Sequence, residues 1–245
     1  MSSDIRGDPW DTLRAATRAR VGLGRAGDGL STAENLRLAA AHAQARDAVH
    51  APLDADAVLA ALGERAGPVV RSRVADRTEY LQRPDLGRRL ADDHGLSAGD
   101  HDLAVVIADG LSARAVQDHA VPVVDALLPR LEGWSVAPVV VAEQARVALG
   151  DEIAAALGAR MVLVLIGERP GMSAPDSLGA YLTFEPRPGR VDSERNCVSN
   201  IRPPDGLTHE AAAEVLAALM TESFRLGLSG VGLKDTGAAL PSAAG

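Results

Sequence analysis

From Gly67 and Pro68 onward, short β-branched and apolar runs alternate with helical patterns, and few architectures satisfy that alternation. The runs are "VVRSRV" (69–74), "LAVVIA" (103–108), "SVAPVVVA" (135–142), "MVLVLI" (161–166) and "AYLTF" (180–184). Between them lie "PDLGRRLADD", "SARAVQDHAVPVVDALLPRL" and "DEIAAALGA", and a last helix fits 208–226. Strands separated by helices imply βαβ units, and strands apolar at every position imply cover on both faces. The expected class is α/β, with a doubly wound, mostly parallel, Rossmann-like sheet over residues 67–245. Before it, from Pro9 to about Arg65, the pattern is helical and shows no strand. There Ser31 and Glu34 form a capping box ahead of an Ala-rich run. Residues 1–66 are therefore read as a small N-terminal helical domain, and the tail "DTGAALPSAAG" as frayed.

Composition narrows the function classes. At 245 residues, with 47% apolar and 24% charged side chains, the chain can bury a substantial core. Aromatics are only 2%, so a core of Ala, Val and Leu fits helices on a sheet, not the stacking platforms of nucleic-acid folds. A net charge of −8 with no Lys/Arg run argues against a nucleic-acid partner. The single cysteine, Cys197, excludes an intrachain disulfide and suits a reducing cytoplasm. No basic-then-apolar leader opens "MSSDIRGDPWD", and no apolar stretch nears the ~20 residues that span a bilayer. The expectation is a cytoplasmic protein with no membrane contact.

Open parallel sheets collect ligands outside the carboxyl ends of their strands. The loops that follow strands are Ala75 to Tyr80, Asp109 to Ser112, Glu143 to Asp151, Gly167 to Pro175 and Glu185 to Asn200. In "IADGLSARAV", Ser112 is a plausible N-cap, while Asp109 and Gly110 suit either a ligand or a tight βα turn. "GERPG" (167–171) brackets Glu168 and Arg169 with glycines, and Pro170 keeps Arg169 out of a helix. A carboxylate on such a stiff shelf leans towards ligand binding, against a solvated Glu168–Arg169 ion arrangement.

Other motifs are weaker. "GLGRAG" matches the G-x-G-x-x-G dinucleotide fingerprint at Gly22, Gly24 and Gly27, with Asp47 at a suitable distance. That fingerprint needs a strand before it and a helix after it, and here a helix precedes it. A stand-alone nucleotide-binding oxidoreductase is the alternative it leaves. "DDHGLS" (92–97) nearly matches D-x-H-x-x-G, the pattern that gives some corrinoid enzymes a cobalt-ligating histidine. Ser97 replaces the glycine, and a helix C-terminus with His94 in its last turn and Gly95 after it is preferred. His42, His50, His101, His119 and His209 show no metal spacing, so no metal ligand is assigned. No nucleophile can be paired with a base, so no catalytic residue is assigned either.

Six phrases, "TRARVGLGRAG", "HAQARDAV", "YLQRPDLGRRL", "VVIADGLSARAV", "LVLIGERPGMSAPDSLGAYL" and "ERNCVSNIRPP", occur in unbroken order. Together they resemble the small (light) subunit of ethanolamine ammonia-lyase, over about residues 10 to 234. The resemblance implies an adenosylcobalamin-dependent lyase converting ethanolamine to acetaldehyde and ammonia by a radical mechanism. It implies a large-subunit partner that carries substrate and most catalytic groups, a corrinoid between the chains, and a higher-order hetero-oligomer. It also implies that cobalt keeps its own benzimidazole, so that "DDHGLS" has no ligand to supply. Three cofactor-contact positions carry over: Val147, Glu168 and Cys197, each expected in a loop after a strand. The short stretch before Pro9, where relatives often carry a longer leader, leaves both free enzyme and packaging in a bacterial microcompartment open.

Overall fold

The computed structural model describes residues 8, 10–17 and 19–233; most of the stretch before Trp10, and the tail "DTGAALPSAAG", lie outside them. The described chain opens with α1 (Asp11–Ala16), a two-residue hairpin of β1 (Arg25–Ala26) and β2 (Gly29–Leu30), α2 (Thr32–His50) and α3 (Ala55–Leu62). Next come β3 (Ala66–Arg71), α4 (Arg77–Gln82), β4 (His101–Ala108), α5 (Ala113–Leu127), β5 (Val139–Glu143) and α6 (Leu149–Leu157). The chain then runs β6 (Ala159–Gly167), β7 (Leu178–Phe184), β8 (Arg195–Ile201) and α7 (His209–Leu226).

Six strands form one sheet in the order β3-β5-β4-β6-β7-β8. The pairings β3/β5, β5/β4 and β4/β6 are parallel, and β6/β7 and β7/β8 are antiparallel. The class is thus α/β with a mixed sheet, four parallel strands extended by an antiparallel pair. The last strand, β8, was not expected. Its sequence, RNCVSNI, shows only two large apolar residues, and its buried Arg195 reads as a surface charge until its partner is seen.

Period-two alternation divides the core. Leu103, Val105 and Ile107 of β4, and Met161, Leu163 and Leu165 of β6, face α5, α7 and α3. Ala104, Val106 and Ala108, with Val162, Val164 and Ile166, face α6 on the other side. Burying each such aliphatic side chain stabilises the fold by about 1.5–3 kcal/mol. α5 is held by nine buried residues and starts where expected, with Ser112 Oγ accepting from Ala115 N at 3.3 Å.

The N-terminal helices differ from one another. Val58 and Leu62 of α3 join the main core, whereas the nineteen-residue α2 buries only Ala41 and Ala48. Ser31 caps α2 through Glu34 N at 3.3 Å, while the Glu34 carboxylate turns to Arg37, so half of the expected capping box forms. "GLGRAG" leads into the β1–β2 hairpin, and Gly27 turns it at φ +64°. That removes the strand-then-helix setting a dinucleotide site needs. Residues 84–93 are a short 3₁₀ turn followed by irregular chain, not the helix expected there. His94 accordingly lies in a loop, its Nδ1 accepting from Leu96 N at 3.0 Å. Among the described residues no helix is long and apolar enough to cross a membrane.

Candidate functional site

The carboxyl ends of β4, β5 and β6 open onto a crevice of about 420 Å³. Ile166, Gly167 and Gly110 form its base, and Leu111 and Val147 contribute apolar wall. Tyr80 and Tyr181 supply aromatic surface, and Arg146, Glu168 and Arg169 bring charge to it. A larger cavity of about 750 Å³, beside α3 and β3, is lined by Asp54, Arg71, His94 and Glu143 and holds none of the three carried-over residues. The smaller crevice is the better candidate, because it lies at the strand ends where ligands collect and it gathers apolar, aromatic and charged groups.

Its frame is built from backbone contacts. Gly110 adopts φ +56°, and a Cβ there would stand 2.3 Å from the carbonyl oxygen of Gly167. A Cβ on Gly167 would in turn stand 2.0 Å from the Ser112 carbonyl oxygen. Only glycine at both places lets the two loops touch.

Asp109, 3% exposed, fixes the third loop. Its carboxylate accepts from Gln144 N at 3.0 Å and Ala145 N at 2.9 Å, and from Arg77 Nη1 at 3.3 Å. Gln144, at φ +53°, is thereby held in a left-handed turn that delivers Arg146 and Val147 to the crevice. Burial pushes the Asp109 carboxyl up to about 6, against the opposing pull of the Ala145 N–H and the Arg77 charge. Asp109 is therefore a structural brace, which decides between the two roles its sequence left open.

Tyr80 is fully buried and donates its hydroxyl to the Ala145 carbonyl at 3.0 Å. The guanidinium groups of Arg77 and Arg146 lie over its ring, 4.6 and 4.3 Å from the centroid, and each contact is worth roughly 0.5–2 kcal/mol. Arg146 Nη2 donates to the Tyr80 carbonyl at 3.3 Å, but its Nε is buried without a partner among the described residues.

Glu168 leaves β6 with its N–H donating to the Ser177 carbonyl at 2.9 Å. Ser177 Oγ donates to Oε2 and Ser199 Oγ to Oε1, both at 2.5 Å. Among the described residues these serines hold the carboxylate, and exposed Arg169 does not. Gly179 makes the room, since a Cβ there would come within 2.9 Å of Glu168 Oε1.

Cys197 does not lie in a loop. It sits on β8 directly opposite Tyr181 of β7, so that thiol and ring share a face beside Glu168. The residue as a whole is exposed, yet the atoms around its sulfur raise the thiol pKa by burial. The Glu168 charge adds to that rise and a hydrogen bond with Tyr181 opposes it. Burial, then the neighbouring Cys197, likewise raises Tyr181 above the ordinary tyrosine range.

The fold thus brings Val147 and Glu168 to one crevice and sets Cys197 behind Tyr181 at its flank. Sequence reasoning did not single out Tyr80, Arg146 or Tyr181; the only local signal was the position of Arg146 next to Val147.

Residues 7–234 match the family model described as ethanolamine ammonia-lyase light chain (EutC). A protein of Azotobacter vinelandii named ethanolamine ammonia-lyase small subunit is 55% identical over 240 residues, covering 93% of this chain and 88% of the relative. One of the same name from Rhodococcus erythropolis is 52% identical over 242 residues, covering 97% and 94%. A third, from Ralstonia nicotianae, is 51% identical over 240 residues, covering 93% and 88%.

Proposed function

The chain belongs to the ethanolamine ammonia-lyase light-chain family, and from that premise we propose that it closes over adenosylcobalamin against a large-subunit partner. In this reading the assembled hetero-oligomer converts ethanolamine to acetaldehyde and ammonia. The chain is active only within that assembly and supplies no catalytic residue. The observation that carries the reading is the Glu168 carboxylate, held ready at the crevice by two hydroxyls.

The residues fit one edge of a corrinoid. Such a macrocycle is broad, largely apolar on its faces and fringed with neutral amides, and each buried amide needs a partner. A crevice near the lower end of the roughly 300–1,000 Å³ typical of ligand sites takes part of it, which suits a ligand shared with a second chain. A carboxylate offers about four acceptor positions, so Glu168 can keep both serines and still accept from amide or ribose donors. The unpartnered Arg146 Nε is the complementary donor for an amide oxygen. Val147 gives apolar contact. Cys197, its thiol kept protonated by its raised pKa, packs as a small polarisable neutral group. Bound adenosylcobalamin would supply the radical chemistry; this chain's part is to orient it and exclude water.

The same reading treats the sheet as doubly wound and Rossmann-like, with α5 and α6 over opposite faces and the ligand at its carboxyl edge. It treats residues 1–66 as a helical domain and 67–245 as the cobalamin-contacting domain. It places the assembly in the cytoplasm, free or within a bacterial microcompartment, which cell fractionation separates. The oxidoreductase alternative is not favoured, because "GLGRAG" runs into a hairpin.

The test is reconstitution. Purified chain alone should release no ammonia from ethanolamine, and adding a competent large subunit with adenosylcobalamin should restore release. Absence of activity with that partner would overturn the reading. Glu168→Ala should weaken cobalamin binding to the complex by about 1–3 kcal/mol, measured by titration.

A further inference from the structure

On the opposite face of the sheet, under α5 and α7, the loop that carries Glu168 meets a second group of side chains. His119, in mid-α5, is 7% exposed, and its Nε2 is buried with no hydrogen-bond partner among the described residues. Its Nδ1 lies 3.1 Å from Nε2 of His209, the first residue of α7. One ring nitrogen of His119, one carboxylate oxygen of Asp118 and one of Asp176 all lie within 4.8 Å of one another. α5 and the 168–177 loop therefore converge on one point, and the first residue of α7 abuts the other side of the His119 ring.

A satisfied core histidine does not look like this. Buried ring nitrogens normally find a partner, and leaving one without is costly. Whichever way the His119 ring is assigned, one nitrogen is bare and the other faces only a second imidazole. Burial, then the neighbouring His209, lowers the pKa of His119 below the ordinary histidine value. Neutral imidazole is the form that coordinates metal.

The carboxylates complete the set. Arg202 donates to Asp176 through Nε at 3.0 Å and Nη2 at 2.9 Å, both to Oδ1, which leaves Oδ2 the oxygen to turn towards a cation. Among the described residues Asp118 is tethered to Arg114 alone, at 3.3 Å, and its half-exposed side chain opens the group to solvent. One imidazole with two carboxylates suits a divalent ion of the Zn²⁺ class, and His209 against the His119 Nδ1, at 3.1 Å, is the kind of outer partner that fixes the tautomer and orientation of a ligating histidine.

We propose that His119, Asp118 and Asp176 form a binding site for a divalent transition-metal ion of the Zn²⁺ class, held through the bare Nε2 of His119 while His209 orients the ring at Nδ1. An ion there would tie the middle of α5 to the loop whose other side holds Glu168 through Ser177. The site does not rest on the cobalamin reading, and its test needs no corrinoid.

The tag-free full chain, stripped with chelator, should take up one equivalent of Co²⁺ with the visible absorption of a tetrahedral site, and Zn²⁺ should displace it. His119→Gln should abolish uptake. Asp118→Asn and Asp176→Asn should each weaken it at least about tenfold, and His209→Gln, at a half-buried position that leaves the core intact, by about tenfold through loss of the partner that orients His119. His42→Gln, on the exposed side of α2, should change nothing. The proposal is overturned if the wild-type chain binds no stoichiometric Co²⁺ or Zn²⁺, or if folded Asp118→Asn and Asp176→Asn both bind as tightly as wild type.

Discussion

Neighbouring strands β4 and β6 each end in a loop that begins with a carboxylate after the last apolar position, Asp109 in one and Glu168 just past Gly167 in the other. The loops are in backbone contact, yet the two carboxylates do opposite things. Asp109 is turned inward, and its oxygens are taken up by two backbone N–H groups and a guanidinium. Glu168 remains half-buried, and its partners are hydroxyls, one from exposed Ser199. An acid at a strand end is therefore not in itself a site. What leaves a carboxylate available to a ligand is that fixed backbone donors have not already used its acceptors.

The sharpest way to break the comparison is to remove each carboxylate in turn. Asp109→Ala strands the Gln144 and Ala145 N–H groups and should cost about 2 kcal/mol of stability at pH 7, read by urea unfolding. Glu168→Ala should cost under about 1 kcal/mol, with its effect appearing in ligand affinity instead. Equal losses of stability would erase the distinction.

Acidity provides a second contrast. A folded pKa of about 6 for Asp109, above its ordinary 3.8, means that folding favours the protonated form. That contribution is fully present below about pH 4 and is lost as pH rises through about 6, an effect on the order of 3 kcal/mol. The stability gap between wild type and Asp109→Ala should accordingly widen as pH falls from 7 to 4. A gap that stays constant would mean that burial does not govern this carboxyl.

Smaller effects test the other side. Gly179→Ala places a methyl against Glu168 Oε1 and should shift the carboxylate, weakening the proposed cobalamin contact by about 1 kcal/mol with little change in unfolding. Glu168→Gln removes a charge that raises the Cys197 thiol, so alkylation of Cys197 at pH 8 should quicken, by less than about tenfold. A slower reaction would show that Glu168 and Cys197 do not share a field.

Much of this framework was legible. Runs such as LAVVIA and MVLVLI have one reading once both faces must be covered, and Ser112 announced α5. Glu168 stood out because glycines and a proline isolate it. β8 was missed because the charge of buried Arg195 is met by Asp151, 44 residues away, to which it donates at 2.7 and 2.6 Å, and by Thr183 Oγ1 at 2.8 Å. The His119–His209 contact was hidden in the same way, its partners being 90 positions apart. Residues 84–93 misled in the other direction, their helical spacing overridden where Leu90 bridges to Ser72 instead. Pairwise contacts between polar residues leave no period in a sequence, whereas apolar faces do.

The meeting of Gly110 and Gly167 has an evolutionary side. Each residue's missing side chain is the space the other's loop occupies, so no single replacement at either position has a viable first step. Compensation would require the backbone of both loops to move together, carrying Asp109 and Glu168 apart. Sterically the pair is one unit, and the room for change in this crevice lies in the side chains that line it.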